Sequence, residues 1–380
     1  MSSEKHLNVI SFDVPYPADY GGAIDVFFKL KSLHEAGIKI HLHCFEYGRQ
    51  PQEVLKKICA SVQYYPRKTS RSLLFNTLPY IVLTRTSEAL KKNLLKNSYP
   101  ILMEGLHSTF VLNDAEVLSS GKGGGKRKII VRAHNVEHDY YENLAKVENN
   151  IFKRYYFYNE AGKLKKYEAV LKNASSIAAI SPNDTNYFSE HFKKSHYIPA
   201  FHPNEMMSIR EGRGGFAFYH GNLAVGENNE AALYLVNKIF NDLPYQLIIA
   251  GSKPSDELLK AIKGKNNMEL KEGLDPVEIH ELIHEAQCNV LPTFQSTGIK
   301  LKLLSSLFAG RFCIVNKPMV ENTGLETLCI LANSPEKMKE KIREVMTKDF
   351  SKREIEKREK ILNENFSNEK NAKEFIRLAF

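Results

Sequence analysis

The chain has 380 residues, 43% of them apolar or aromatic and 26% charged, which excludes a disordered or fibrous protein and suits two domains of about 150–200 residues, each able to bury its own core. Five scattered cysteines, Cys44, Cys59, Cys288, Cys313 and Cys329, form no CxxC pair and argue against a disulfide framework or a zinc site; the polar start has no signal-peptide h-region and no run nears the ~18 apolar residues of a membrane span, so a cytoplasmic chain, soluble or peripheral on the inner membrane face, is expected. The net charge of +9 lies wholly in residues 1–200, because residues 201–380 hold 25 basic and 25 acidic side chains.

The first elements read as strand, loop, helix, strand. Leu7–Phe12 is a short apolar run, broken by Pro15, Pro17, Gly21 and Gly22. Apolar residues from Ile24 to Leu33 recur at helical spacing, Gly37 ends that helix, and Ile38–Phe45 alternates as a strand. This is a βαβ unit of an open parallel sheet. From Arg49 to Pro100 ten basic residues face only Glu53 and Glu88, beside the apolar run from Ser72 to Leu83. Such a stretch suits an anionic membrane surface, and equally a solvated face over buried strands. No nucleic-acid module is present.

Strands are predicted at Tyr99–Met103, Lys128–Ala133 and Ser176–Ile180, with a long helix over 149–172. The tract Gly121–Arg127 lacks the spacing of a P-loop and reads as a surface loop. Residues 199–215 read as a linker between domains 1–200 and 201–380. The second series has strands at Phe216–Tyr219, Gln246–Ala250, Met268–Lys271, Cys288–Leu291 and Phe312–Asn316. Helices alternate with them, and two charged amphipathic helices close the chain. Two Rossmann-like halves offer ligand sites at the carboxyl ends of their strands.

Three segments carry candidate chemistry. The loop Pro15–Ala23, with Asp19 and the pair Gly21-Gly22, permits close backbone approach to a ligand at a helix start, and serves equally as a tight turn. Arg132, His134, Asn135 and Glu137 follow a buried strand, where a histidine can bond sugar hydroxyls or exchange a proton; capping of the strand is the plain alternative. The turn Pro292–Lys302 opens a helix on which Gly298, Lys302 and Ser305 share a face. Free N–H groups at Thr297, Gly298 and Ile299, with Lys302 one turn on and Lys300 nearby, suit a pyrophosphate. A solvated lysine on an ordinary helix fits the same pattern. No Asp-x-Asp, HExxH or Gly-x-Ser-x-Gly occurs, so no metal site is assigned.

Taken together, Pro15–Ala23, Arg132-x-His134-Asn135-x-Glu137, Gly221–Asn228 and Gly298-Ile299-Lys300-x-Lys302 resemble the GT-B glycosyltransferases related to glycosyltransferase family 4 (group 1 type), over nearly the whole chain. The resemblance implies two Rossmann-like domains facing across a cleft, an acceptor-binding N-terminal domain and a donor-binding C-terminal one. It also implies that the last helix, about 365–380, crosses back to the first domain. Transfer from a nucleotide sugar as co-substrate to a glycan or lipid-linked acceptor follows, hexosyl, retaining and without metal or other cofactor. His134 would touch the donor sugar and Lys302 the diphosphate. Two departures stand out. The family's Glu-x7-Glu carboxylates fall on Thr297 and Ser305, and its basic residue after the first donor-domain strand falls on Asn222. A non-catalytic GT-B binding or activating subunit, and a nucleotide-sugar epimerase, are therefore the rival readings.

Overall fold

The computed structural model describes residues 4–148, 150–192, 194–294, 301–321 and 323–380. The chain divides into two units, residues 1–201 with 366–380, and residues 202–365.

The first unit is built on strands β1 (His6–Ser11), β2 (Lys39–Glu46), β3 (Ser61–Pro66), β4 (Ile101–Glu104), β5 (Ile129–Ala133), β6 (Ser176–Ala179) and β7 (Ser195–Tyr197). They pair in the order β3-β2-β1-β4-β5-β6-β7, all parallel. Strands buried on both faces read as unbroken apolar runs, which is why β1, β4 and β5 stand out in the sequence. Leu7, Val9, Leu42, Leu102, Ile130 and Ala178 face one layer, where the helices Gly21–Glu35 and Asn368–Ala379 pack through Val26, Leu30, Phe375 and Leu378. Ile10, Phe45, Met103, Val131 and Ile177 face the other, against Leu90, Leu164 and Phe188. The last helix thus completes the first unit's core. The predicted helix over 149–172 is found as Ile151–Tyr167 continued by a 3-10 turn Glu168–Asn173, and it forms a hairpin with a helix that was not predicted, Glu137–Val147. The break falls where the Asn150 side chain accepts from the N–H groups of Phe152 and Lys153, capping a new helix.

The second unit carries β8 (Ala217–His220), β9 (Leu247–Ala250), β10 (Met268–Lys271), β11 (Cys288–Leu291), β12 (Phe312–Val315) and β13 (Ile330–Leu331). The order is β10-β9-β8-β11-β12-β13, again all parallel. The helix Pro276–Glu285 starts with a capping box, Asp275 and Glu278 each bonding the other's backbone N–H. The helix Pro335–Met346 has no counterpart among the predicted elements. In each sheet the strand order reverses at one place, between β1 and β4 and between β8 and β11, the place where open α/β sheets generally bind ligands. All five cysteines are free thiols. Among the described residues no helix is long and apolar enough to cross a membrane.

Candidate functional site

In the first unit, β4 and β5 place Glu104 opposite Arg132 in register. Even-numbered residues of β5 point at the helix Gly21–Glu35, so Arg132 and then His134 follow Ile130 onto that face. That helix answers with Asp25 and Lys29, four residues apart on its inner side. The Lys29 ammonium lies 2.8 Å from Asp25 Oδ2 and 2.9 Å from Glu104 Oε2. Arg132 donates from Nη2 to Asp25 Oδ1 at 2.9 Å and from Nε to Oδ2 at 3.1 Å, and its remaining donors reach the carbonyls of Ile198 and Pro199. Phe201 N–H also donates to Asp25. Burial alone would raise the Asp25 carboxyl, but Arg132, Lys29 and His134 outweigh it and hold the group well below the carboxylate range.

His134 sits at the open edge of this network. Its Nε2 lies 3.1 Å from Glu104 Oε2 and 3.8 Å from Asp25 Oδ2, and the ring meets Phe12 edge-on. A carboxylate only accepts, so Nε2 donates, and in a neutral ring Nδ1 is left as an acceptor. Asp25, Glu104 and His134 bring one ligand atom each within 4.8 Å of one another, a spacing that suits a metal ion. Lys29 already bridges both carboxylates, however, and Arg132 holds both oxygens of Asp25. Two positive side chains balance two negative ones without an ion, so these residues do not fit a metal.

Beside it, Phe12 also meets His107, whose Nδ1 is 3.8 Å from Glu137 Oε1. Burial, with Arg85 and His134 adding to it, keeps His107 well below the usual histidine range. Burial pushes Glu137 up to about 8, against the pull of Arg85. A Cβ at Gly22 would lie 2.8 Å from the tip of the Phe12 ring, so the ring would have to shift to admit a larger residue. Asp13 accepts from Val14 N–H and from Tyr20 OH, and Asp19 pairs with Arg49, which also donates to Pro17 O.

In the second unit the loop after β8 begins at Gly221. Gly251, after β9, lies against it so closely that a Cβ would sit 2.1 Å from Gly221 O. Asn222 Oδ1 accepts from Ala224 N–H and Ser252 Oγ, and its carbonyl accepts from Asn228 Nδ2 at 2.9 Å. Lys302, on the helix Leu301–Ala309, donates to Asn228 Oδ1 at 2.5 Å and to Tyr219 OH at 3.5 Å, with its ammonium 5.1 Å from the Tyr219 ring centre. Burial, reinforced by the Lys302 charge, drives His220 down to about 3. Thr293, just past β11, donates to Glu227. Ser305 accepts from Asn204 at 3.4 Å.

No protein-family model matches the chain. A curated relative is an uncharacterized 44.6 kDa protein in the cps region of Klebsiella pneumoniae, 26% identical over 333 residues, 83% of this chain and 84% of that protein. Among solved structures, S. aureus TarM, in a complex with fondaparinux, alpha-GlcNAc-glycerol and UDP, superposes with a TM-score of 0.64 at 12% identity, covering 98% of this chain and 99% of that one. A Rickettsia africae glycosyltransferase gives 0.63 at 12%, covering 99% and 98%. Anabaena HepE, in complex with UDP and glucose, gives 0.62 at 9%, covering 98% of both. The fold is GT-B.

Within this GT-B chain the structure gathers Lys302, Asn222 and Ser252 around the β8 and β9 loops, and His134 and Glu137 around the ends of β4 and β5. Arg132 requires a correction. Its place after a strand suggests a cleft residue facing acceptor, yet its guanidinium is fully buried in the Asp25 network, where it serves the interior. Thr297, Gly298, Ile299 and Lys300 lie outside the described residues. Gly21 is the exposed first residue of its helix, and Asn135 is half-buried. Sequence reasoning missed Asp25, Lys29, Glu104, Arg85 and His107. The signal for the first two was two charges on the apolar stripe formed by Ala23, Val26, Leu30 and Leu33.

Proposed function

We propose that this chain is a glycosyltransferase that moves a sugar from a nucleotide-sugar donor, held by the second unit, to a glycan or lipid-linked acceptor. The observation that carries the reading is Lys302, steadied by Asn228 and Tyr219 at the end of β8, beside the place where the strand order reverses. A sugar diphosphate gains negative charge on its phosphate as the sugar–oxygen bond breaks. An ammonium already oriented there stabilises that charge, and loss of one such donor typically costs about 2.7–4 kcal/mol. His134, with Nδ1 as acceptor, would orient a sugar hydroxyl. UDP in the TarM and HepE structures supports a nucleotide donor, and the cps-region relative supports polysaccharide synthesis. Retention of configuration, hexosyl transfer and independence from metal or other cofactors belong to the same proposal. So does a cytoplasmic place, peripheral on the inner membrane face.

The test is a thermal-shift screen of purified protein against uridine, guanosine and thymidine nucleotide sugars, followed by Lys302→Ala. A donor that raises the melting temperature of the wild type and not of the variant is expected. An equal shift in both removes the phosphate role. Ser305, a hydroxyl where the resembling family has a carboxylate, favours a second reading: a subunit that binds donor without turning it over. Product analysis with acceptor present separates the two, and isomerised donor without acceptor would point to an epimerase.

A further inference from the structure

We propose that the tip of the hairpin Glu137–Val147 and Ile151–Tyr167, together with the segment Arg67–Phe75 that packs farther along the second helix, docks the protein on an anionic lipid surface. This deepens the reading above and rests on it only in that a lipid-linked acceptor would be met at such a surface.

The helix Ile151–Tyr167 has two apolar faces. Phe157, Ala161 and Leu164 turn inward, Phe157 meeting Tyr141 of the hairpin's other helix edge-on. Ile151, Tyr155 and Tyr158, at i, i+4 and i+7 with Phe152 beside them, turn the opposite way. Phe152 is 82% and Tyr155 74% exposed, and Val147, just across the bend, is 59% exposed. The outward stripe is apolar only in its first two turns. Farther along, the same face carries Asn159, Gly162, Lys165 and Lys166. The aromatic patch is therefore confined to the tip. Single exposed apolar residues are ordinary, but five around one bend are not.

The neighbouring segment adds to it. Lys163 Nζ donates to Leu74 O at 2.8 Å, tying this segment to the helix some three turns from the tip, and just beyond the segment Tyr80 N–H donates to Glu160 Oε2 at 2.6 Å. Phe75, next to Leu74, is 91% exposed. Arg67, Lys68 and Arg71 lie in the same segment, which has no acidic residue. From Lys146 to Lys166 six basic residues face only Glu148 and Glu160, and the Glu160 carboxylate is buried on Tyr80 N–H and Lys163. Phenylalanine and tyrosine seat well at the boundary between headgroups and acyl chains, and the surrounding cations match an anionic headgroup. A protein partner would need a matching acidic, aromatic-accepting face. A lipid surface supplies both features without one.

The experiment is co-sedimentation of the full chain with phosphatidylcholine vesicles, with and without phosphatidylglycerol, at low and high salt. Binding is expected only with the anionic lipid and only at low salt. Phe152→Ser with Tyr155→Ser, and separately Phe75→Ser, should each weaken partition about tenfold, and Lys153→Glu with Arg154→Glu should do the same. These side chains are exposed, so unchanged melting temperatures will show that the variants fold. A wild type that ignores anionic vesicles, or variants that bind as it does, overturns the proposal. So does a wild type that elutes as a dimer and becomes monomeric in the aromatic variants without vesicle binding. The donor-induced thermal shift is read on the same preparations. Its failure alone sinks the transferase reading, and failure of sedimentation alone sinks the docking face.

Discussion

His134 donates to the same Glu104 oxygen that Lys29 occupies from within, 3.1 Å on one side and 2.9 Å on the other. The orientation of the candidate sugar-binding histidine is thus fixed by a charge balance in the interior. Removing one member leaves an uncompensated buried charge, which typically costs about 3–5 kcal/mol, whereas replacing an ion pair by apolar groups is often neutral. Glu104→Leu and Lys29→Met should each lower stability by about that much. The double variant Lys29→Met, Glu104→Leu keeps the Asp25–Arg132 pair balanced and should recover most of the loss. Denaturant titration of the four proteins gives the coupling energy. The double variant should still lose transfer, because His134 no longer has its acceptor. Full activity in a stable double variant would show that Glu104 does not position His134.

Glu137 gives a pH signature. Its folded pKa, about 8, lies above the ordinary glutamate value, so the folded state holds its proton more tightly than the unfolded one. The contribution is complete below pH ~4.5 and is lost as pH rises toward 8, by up to about 1.4 kcal/mol for each pH unit crossed. Glu137→Gln cannot ionise. Its melting temperature should therefore gain on the wild type between pH 5 and pH 8, by about 2–4 °C for each kcal/mol. A constant difference across that range would mean that Glu137 is ionised throughout.

His220 runs the other way. Its folded pKa of about 3 lies below the ordinary value, so stability is lost as pH falls from about 6.5. Lys302→Met removes the charge that reinforces this. The variant should lose less stability than the wild type between pH 6.5 and pH 4, as read by thermal melts. Parallel curves would place the Lys302 charge elsewhere.

Both parallel sheets were legible because their central strands are apolar on both faces, as in Ile129–Val131 and Leu247–Ala250. The strands that escaped, Ser61–Pro66, Ser195–Tyr197 and Ile330–Leu331, lie at or next to sheet edges, where one side needs no apolar cover. Of the candidate site, His134 and Lys302 stood out by following strand ends. Asp25, Lys29 and Glu104 did not, because a charged residue is expected at the surface unless its partner is known. Those partners are up to 107 residues distant in the chain. The outward stripe of Ile151, Phe152 and Tyr155 was not singled out, because a helical pattern alone does not say which of its apolar residues a core covers.

Phe375→Ala tests the last helix. Its ring lies 5.4 Å from the Lys29 ammonium and 5.5 Å from the Arg132 guanidinium. The truncation should cost about 3–5 kcal/mol. It should also lower transfer more than an equally destabilising change far from the network, when both are assayed well below their melting temperatures.

Because Phe375, Leu378 and Ala379 belong to the core begun by Leu7 and Val9, the opening half of the polypeptide cannot complete its core until a segment more than three hundred residues later has been made. The helix Asn368–Ala379 must emerge from the ribosome before the Asp25 network is sealed from water. Until then the nascent first unit carries an open apolar seam. A change in this helix will therefore be felt at a histidine encoded some two hundred and forty codons earlier.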